Sequence, residues 1–242
     1  MIYNPAANQY SVAYAGDINI YGLSLTRNIA DTKVGVDLSY RRNMPLASQQ
    51  FLTVLPARAD TPGFIGALPQ GGETGGAVGD TLHLVLNTTR VFGKTPLFDR
   101  ASLMGELTWN RMLSVTQGYE QYRGNPAYTG IDRSTRDFVG MGLNVVPTWN
   151  QVFPGVDLSM PISYTVGLAG ESAVPLGGNK GTGNYSVGLG ALVKSKYQLD
   201  LKYTSFFGPF EIAPNGTVKS YAGLMSLLKD RAALSLTFKT RF

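Results

Sequence analysis

The chain has 242 residues, no cysteine, one histidine, and a formal net charge of +5 from 21 Lys/Arg and 16 Asp/Glu. Without cysteine there is no disulfide framework, thiolate nucleophile or zinc–thiolate site, and basic residues scattered without a run give no nucleic-acid patch. Mean hydropathy is close to zero and no stretch of about 18 apolar residues occurs, which excludes membrane-spanning helices but agrees with spanning strands that alternate apolar and polar residues.

The first ten residues, M-I-Y-N-P-A-A-N-Q-Y, lack the basic segment and apolar run of a secretory leader. Period-2 alternation between breaker clusters then predicts nine long strands. The first, Asp17–Asn28, sets Tyr21, Leu23 and Leu25 against Gly22, Ser24 and Thr26. The second, Lys33–Tyr40, sets Val34, Val36, Leu38 and Tyr40 against Lys33, Gly35, Asp37 and Ser39. The third, Thr81–Phe92, sets Leu82, Leu84, Leu86 and Phe92 against His83, Val85 and Asn87. The fourth, Ala101–Arg111, sets Leu103, Leu107 and Trp109 against Met104, Glu106, Thr108 and Asn110.

The fifth, Asp137–Trp149, puts Val139, Met141, Leu143, Val145 and Trp149 on one side. The sixth, Gly155–Leu168, opposes Val156, Leu158, Met160, Ile162 and Tyr164 to Asp157, Ser159, Pro161 and Ser163. The seventh, Gly183–Lys194, turns Tyr185, Val187, Leu189, Ala191 and Val193 outward. The eighth, Tyr197–Phe206, opposes Tyr197, Leu199, Leu201 and Tyr203 to Gln198, Asp200, Lys202 and Thr204. The ninth, Leu234–Phe242, opposes Leu234, Leu236, Phe238 and Phe242 to Ser235, Thr237, Lys239 and Arg241.

Most of these segments run to about 9–13 residues, whereas soluble strands peak near 5–6 and transmembrane strands need about 9–11. Connections near Ala30–Thr32, Gly93–Arg100, Asn150–Pro154 and Ser195–Lys196 are short. Those at Arg41–Asp80, Met112–Arg136, Ala169–Thr182 and Phe207–Asp230 are long. That alternation matches the periplasmic turns and extracellular loops of an outer-membrane barrel. The fold class expected is therefore all-β, an antiparallel up-and-down transmembrane β-barrel occupying 1–242 as a single domain. The odd strand number and the missing leader suggest the C-terminal portion of a larger barrel.

Aromatic residues fall at two depths on the outward side. Tyr40, Trp109, Tyr164, Tyr185 and Tyr203 lie toward the extracellular ends, and Phe92, Trp149, Tyr197 and Phe242 toward the periplasmic ends. Two such girdles are expected at the membrane interfaces. The opposite parity gives the lumen-lining candidates Lys33, Asp37, His83, Asn87, Glu106, Asn110, Asp157, Asp200, Lys202, Lys239 and Arg241. Opposite charges there suit a selectivity ladder or ordinary ion pairing.

Three stretches carry a family resemblance: the hairpin Tyr21–Leu46 with its G-L-S and S-Y-R-R-N-M-P-L, the segment Leu97–Asn110 (L-F-D-R-A-S-L-M-G-E-L-T-W-N), and Leu228–Phe242 (L-K-D-R-A-A-L-S-L-T-F-K-T-R-F). With them the chain resembles the bacterial outer-membrane family called domain of unknown function 1302. The resemblance implies a Gram-negative envelope protein concerned with transport of hydrophobic compounds. It supplies no catalytic residue.

His83 has no serine or carboxylate motif beside it, so it is read as a polar lumen residue, and no enzyme activity, metal or cofactor is assigned. Gly177–Gly183 (G-G-N-K-G-T-G) lacks the spacing and following helix of a phosphate loop and reads as a flexible extracellular loop. The long extracellular loop 41–80 carries two apolar segments, Phe51–Pro56 and Phe64–Pro69, suited to a constriction, a greasy funnel or packing against neighbouring loops. The function expected is an outer-membrane channel or transporter for small hydrophobic molecules. The alternative is a structural or docking barrel that partners an envelope export complex. Expected partners are outer-membrane lipid and lipopolysaccharide, the barrel-assembly machinery through the C-terminal strand, and a small hydrophobic ligand, with no nucleic acid.

Overall fold

The structure is a computed structural model and describes residues 2–4, 9–11, 15–49, 75–212, 214–216, 218–220 and 224–240. Ten strands form one antiparallel sheet: β1 (Asn19–Ile29), β2 (Thr32–Pro45), β3 (Val78–Phe92), β4 (Arg100–Gln117), β5 (Asp137–Phe153), β6 (Val156–Ser159), β7 (Ile162–Ala169), β8 (Gly183–Val193), β9 (Tyr197–Phe207) and β10 (Ala233–Thr240). Each strand pairs with its neighbours in sequence, β6 and β7 sharing the place between β5 and β8. The outermost strands, β1 and β10, pair on one side only among the described residues. Two small hairpins, Ile2–Asn4 with Gln9–Ser11 and Phe210–Ile212 with Val218–Ser220, lie outside this sheet.

The nine predicted strands all occur, with one correction. The sixth is broken into β6 and β7 at Met160–Pro161. Proline has no N–H to give to the ladder. Alignment survives the break because Met160 N–H donates to the Pro147 carbonyl at 3.0 Å and Gly188 N–H donates to the Pro161 carbonyl at 2.8 Å. Several strands also run past their predicted ends; β4 reaches 18 residues. Extensions of this kind end in bulges, as at Arg41–Met44, where Asn43 takes a φ of 56°, a local twist that re-aims a strand at its rim.

Turn chemistry sets one end of the sheet. The hairpin between β1 and β2 needs two linking residues, and Ala30 adopts φ 50° there. Two-residue hairpins demand positive φ because it matches the strand twist. Gly155 at φ 76° does the same between β5 and β6. The long connections all leave the opposite end.

The register joins the predicted apolar faces into one. Leu25, Val36, Leu86, Leu107, Met141 and Val166 stand on one cross-strand row. Leu189, Leu201 and Leu236 form another. This face is exposed: Leu23 is 72% accessible and Leu236 68%. Behind the other face no second sheet or helical layer packs among the described residues. The buried apolar cluster sits instead among the loops, where Leu46, Ala77, Tyr122 and Ala173 pack with Met112 and Val115. Backbone bonds tie it: Leu46 N–H to Ala77 O at 2.8 Å, Ala47 N–H to Ala173 O at 2.7 Å, and Arg123 N–H to Ala47 O at 2.9 Å.

Tyr122 gives this cluster a test. Its ring is buried at 2% exposure and its hydroxyl has no hydrogen-bond partner among the described residues. A buried unpartnered hydroxyl costs about 1–3 kcal/mol. Tyr122→Phe should leave stability unchanged or raise it, whereas Tyr122→Ala should cost about 3–5 kcal/mol locally by opening a cavity. Hydrogen exchange at Leu46, Ala77 and Ala173 reads both; faster exchange in the Phe variant would contradict the assignment.

Candidate functional site: a polar face beneath a docked loop

All the lumen candidates within the described residues stand on the face opposite the apolar rows. One polar row runs Ser39, His83, Asn110, Phe138 and the next but one runs Asn87, Glu106, Gly142, Thr165, Asn184. The face divides into three regions. Near the short turns, a cavity of about 500 Å³ is lined by Arg100, Asp157, Ser159, Gln198 and Asp200 among others. There Gln198 Nε2 donates to both Asp200 carboxylate oxygens at 2.8 and 3.1 Å, and Lys239 Nζ lies 3.9 Å from the same group. In the middle, Asn87 Nδ2 donates to Asp37 Oδ2 at 3.2 Å. Lys33 and Lys202 lie on this face with no ion-pair partner among the described residues.

Near the loop end, His83 Nε2 and Thr81 Oγ1 are 2.9 Å apart, and Thr81 is fully buried. No carboxylate bonds the His83 ring among the described residues, so the geometry assembles no triad of the kind nucleophilic catalysis needs. Asn110 Oδ1 accepts from Ser172 Oγ at 3.0 Å. That bond announces the feature the sequence did not yield. The connection 170–182, which includes most of the Gly177–Gly183 stretch expected as a flexible extracellular loop, is folded onto the polar face.

Its docking is specified locally. Thr135 N–H donates to the Glu171 carbonyl at 2.9 Å, Glu171 N–H donates to Thr135 Oγ1 at 2.8 Å, and Ser134 Oγ donates to the Ser172 carbonyl at 3.2 Å. Asn179 Nδ2 closes the loop base by donating to Glu171 Oε2 at 2.6 Å. Gly178, at φ 106°, lies against the ring of Phe138; a Cβ there would stand 2.5 Å from Cζ. Only glycine combines that backbone angle with that approach. Beneath the loop, Asp132 is 6% exposed, pairs with Arg123 and accepts from Tyr128 Oη at 2.6 Å. Burial first, then the Asp132 carboxylate, push the Tyr128 hydroxyl up to about 12. Burying an ion pair is tolerable only when its remaining hydrogen bonds are satisfied, as here.

The aromatic residues also pair across strands. Tyr21 and Tyr40 stack at 6.2 Å, Tyr164 and Phe207 at 5.7 Å, and Tyr185 and Tyr203 meet at 6.2 Å. At the other end Tyr197 stacks on Phe238 at 6.3 Å, and Arg90 lies 4.9 Å over the Phe92 ring. Trp109 Nε1 donates to Asp137 and Trp149 Nε1 donates to the Leu97 carbonyl. Phe242, Arg241 and the apolar segments Phe51–Pro56 and Phe64–Pro69 lie outside the described residues.

Glu171 makes the docked loop responsive to pH. Burial, with the Asp132 charge, raises its carboxyl from 4.5 to about 7, against the opposing pull of Asn179 and Lys180. A raised carboxyl means that the docked state binds the proton more tightly than the undocked chain. The stabilisation is therefore complete below about pH 4.5 and is lost as pH rises through about 7. Hydrogen exchange over 170–182, corrected for the intrinsic rate, should show more opening at pH 8 than at pH 5, and Glu171→Gln should flatten the difference.

No curated protein matches the chain, and no solved structure matches it. Residues 1–242 match throughout the family described as "Protein of unknown function (DUF1302)", and with its nearly all-β antiparallel fold the chain belongs to that family.

Proposed function

We propose that this chain forms part of a β-barrel channel or transporter in the bacterial outer membrane, that its polar face lines the lumen, and that its cargo is small and hydrophobic. The observation that carries this reading is the inversion of the usual arrangement. The continuous apolar face is exposed, and the face that the loop covers is polar. In water an exposed apolar surface of this extent is unfavourable; in hydrocarbon it is the required surface.

Depth supports the same setting. Val139 stands beside Trp109 in the register, and Trp149 is ten residues along β5. That is roughly 34 Å along the strand, or about 25 Å after a tilt near 40°, which is the height of a lipid-facing band between two aromatic girdles. Arg90 at its Phe92 neighbour suits the snorkelling position at one boundary. Unpaired strand edges in hydrocarbon cost several kcal/mol per backbone group, so this setting requires that the edges of both β1 and β10 be paired. Transport is proposed over passive architecture because cavities run along the polar face from the turns to the docked loop.

Face assignment is testable at two adjacent residues. Leu86→Arg should weaken folding into lipid vesicles by about 2–4 kcal/mol, the cost of a lipid-facing Arg near midplane, whereas Asn87→Arg should be tolerated. Similar urea midpoints for the two variants would defeat the assignment. Planar-bilayer recordings of the assembled barrel should show conductance; a sealed barrel would favour the docking role with an envelope export complex.

A further inference from the structure

The docked loop and the sheet enclose a second feature on the polar face. Inward positions on two successive rows read Thr108, Gly140, Gly167 and Glu106, Gly142, Thr165, Asn184. Three of these seven positions are glycine, on adjacent strands. Gly167 is covered by the loop itself; a Cβ there would lie 2.0 Å from the Asn179 carbonyl oxygen. Gly140 is buried at the back, and Gly142 lies half-exposed at the mouth. Leu176, Gly177 and Gly178 hang over this floor, and Phe138 closes the rear. The space between is about 440 Å³, within the range of small-molecule sites.

Two details give the slot its chemistry. The floor is open backbone at Gly142, beside Thr165, and it ends at Gly140, where a Cβ would stand 3.0 Å from the Phe138 ring and from Thr108 Oγ1. The roof residue Leu176 is 87% exposed and adopts φ 61°, a left-handed conformation uncommon for a leucine. A large apolar side chain held in a costly conformation over a polar face points to function. Polar groups flank the mouth, the Glu106 carboxylate on one side of Gly142 and the Asn184 amide beyond Thr165 on the other side of the same row.

We infer that this slot binds a small, uncharged, flat ring molecule of about two fused rings, its faces held between Leu176 and the Gly142 backbone, its edge against Phe138 and a hydroxyl donating to Glu106. The site deepens the transport reading above, because the polar face receives such a molecule only if it lines a passage. A bound ring lies across the lumen at the point where loop 170–182 narrows it, so the slot selects cargo by thickness. An anionic analogue is disfavoured, since its charge would face the Glu106 carboxylate without a paired cation in the slot.

The test uses 2-naphthol as probe and 2-naphthoate as its anionic counterpart, with the full chain in detergent micelles. Saturable amide NMR shifts should appear at Gly142, Leu176 and Gly177 with 2-naphthol, beyond any shift on the outward rows from micelle partitioning. A Cβ at Gly142 meets nothing nearer than the Thr165 methyl at 3.9 Å, so Gly142→Val starts its side chain in open space and fills the slot. It should weaken binding about tenfold or more, the usual price of losing a fitted apolar pocket. Leu176→Ser, at an exposed position, serves as the second variant and should weaken it several-fold. Glu106→Gln should bring 2-naphthoate closer to 2-naphthol. Uniform shifts over both faces, or unchanged affinity in both slot variants with the amide spectrum intact, would overturn the inference. Conductance without localised shifts removes this site and leaves the channel standing; localised shifts without conductance do the reverse.

Discussion

The cross-strand hydrogen-bond ladder holds this molecule together, because among the described residues no apolar core lies behind the sheet to do so. In a two-layer β protein, side chains buried between the layers fix which strands are neighbours, and the ladder follows. Here the ladder spans all ten strands while the apolar side chains point away from it into the surroundings. Register is therefore held by the ladder, by short turns such as Ala30–Asp31 and Pro154–Gly155, and by cross-strand aromatic contacts such as Tyr21–Tyr40. The apolar face contributes only through what surrounds it, which is why the solvent is part of the fold.

The period-2 pattern made much of this legible. Leu84 and Leu86 against His83 and Asn87 can only be read one way in a strand, and the register then places them as read. Parity is a local property, so it survives ignorance of tertiary contacts. Pro161 shows where the reading ran out. Its parity is right, but its missing N–H interrupts pairing, an effect that depends on what lies opposite. The docked loop was illegible for a deeper reason. Its glycines look like chain freedom in a sequence, whereas Gly178 is glycine because Phe138 occupies the place of a side chain. Likewise Arg123 and Asp132 pair across nine residues of aperiodic loop, and nothing in the local pattern marks them as partners.

The polar face is consequently two kinds of surface. Toward the short turns, its polar and charged groups sit on strands and are arranged by alternation alone, as with Asp200, Gln198 and Lys239. Toward the long connections, the groups are brought together by loops: Ser172 onto Asn110, Asn179 onto Glu171, Tyr128 onto Asp132. The first kind is rigid because the ladder is rigid. The second depends on loop docking, and the Glu171 carboxyl lies where that docking is held. A rigid part and a loop-dependent part are thereby separated along one face.

The loop cluster has a consequence for how the fold is reached. Contacts between successive strands close short stretches of chain, so the sheet can grow strand by strand. Leu46 and Ala77 come from the two ends of one connection, and Tyr122 and Ala173 from two others, and they meet only after β2 through β7 are in place. A slip of two residues anywhere in that series keeps every side chain on its own face, so parity alone does not reject it. It would, however, carry Ala173 about 7 Å away from Ala47 and break the bond that joins them. The cluster thus acts as a check on assembly, stable only when every intervening strand has found its correct partner residue.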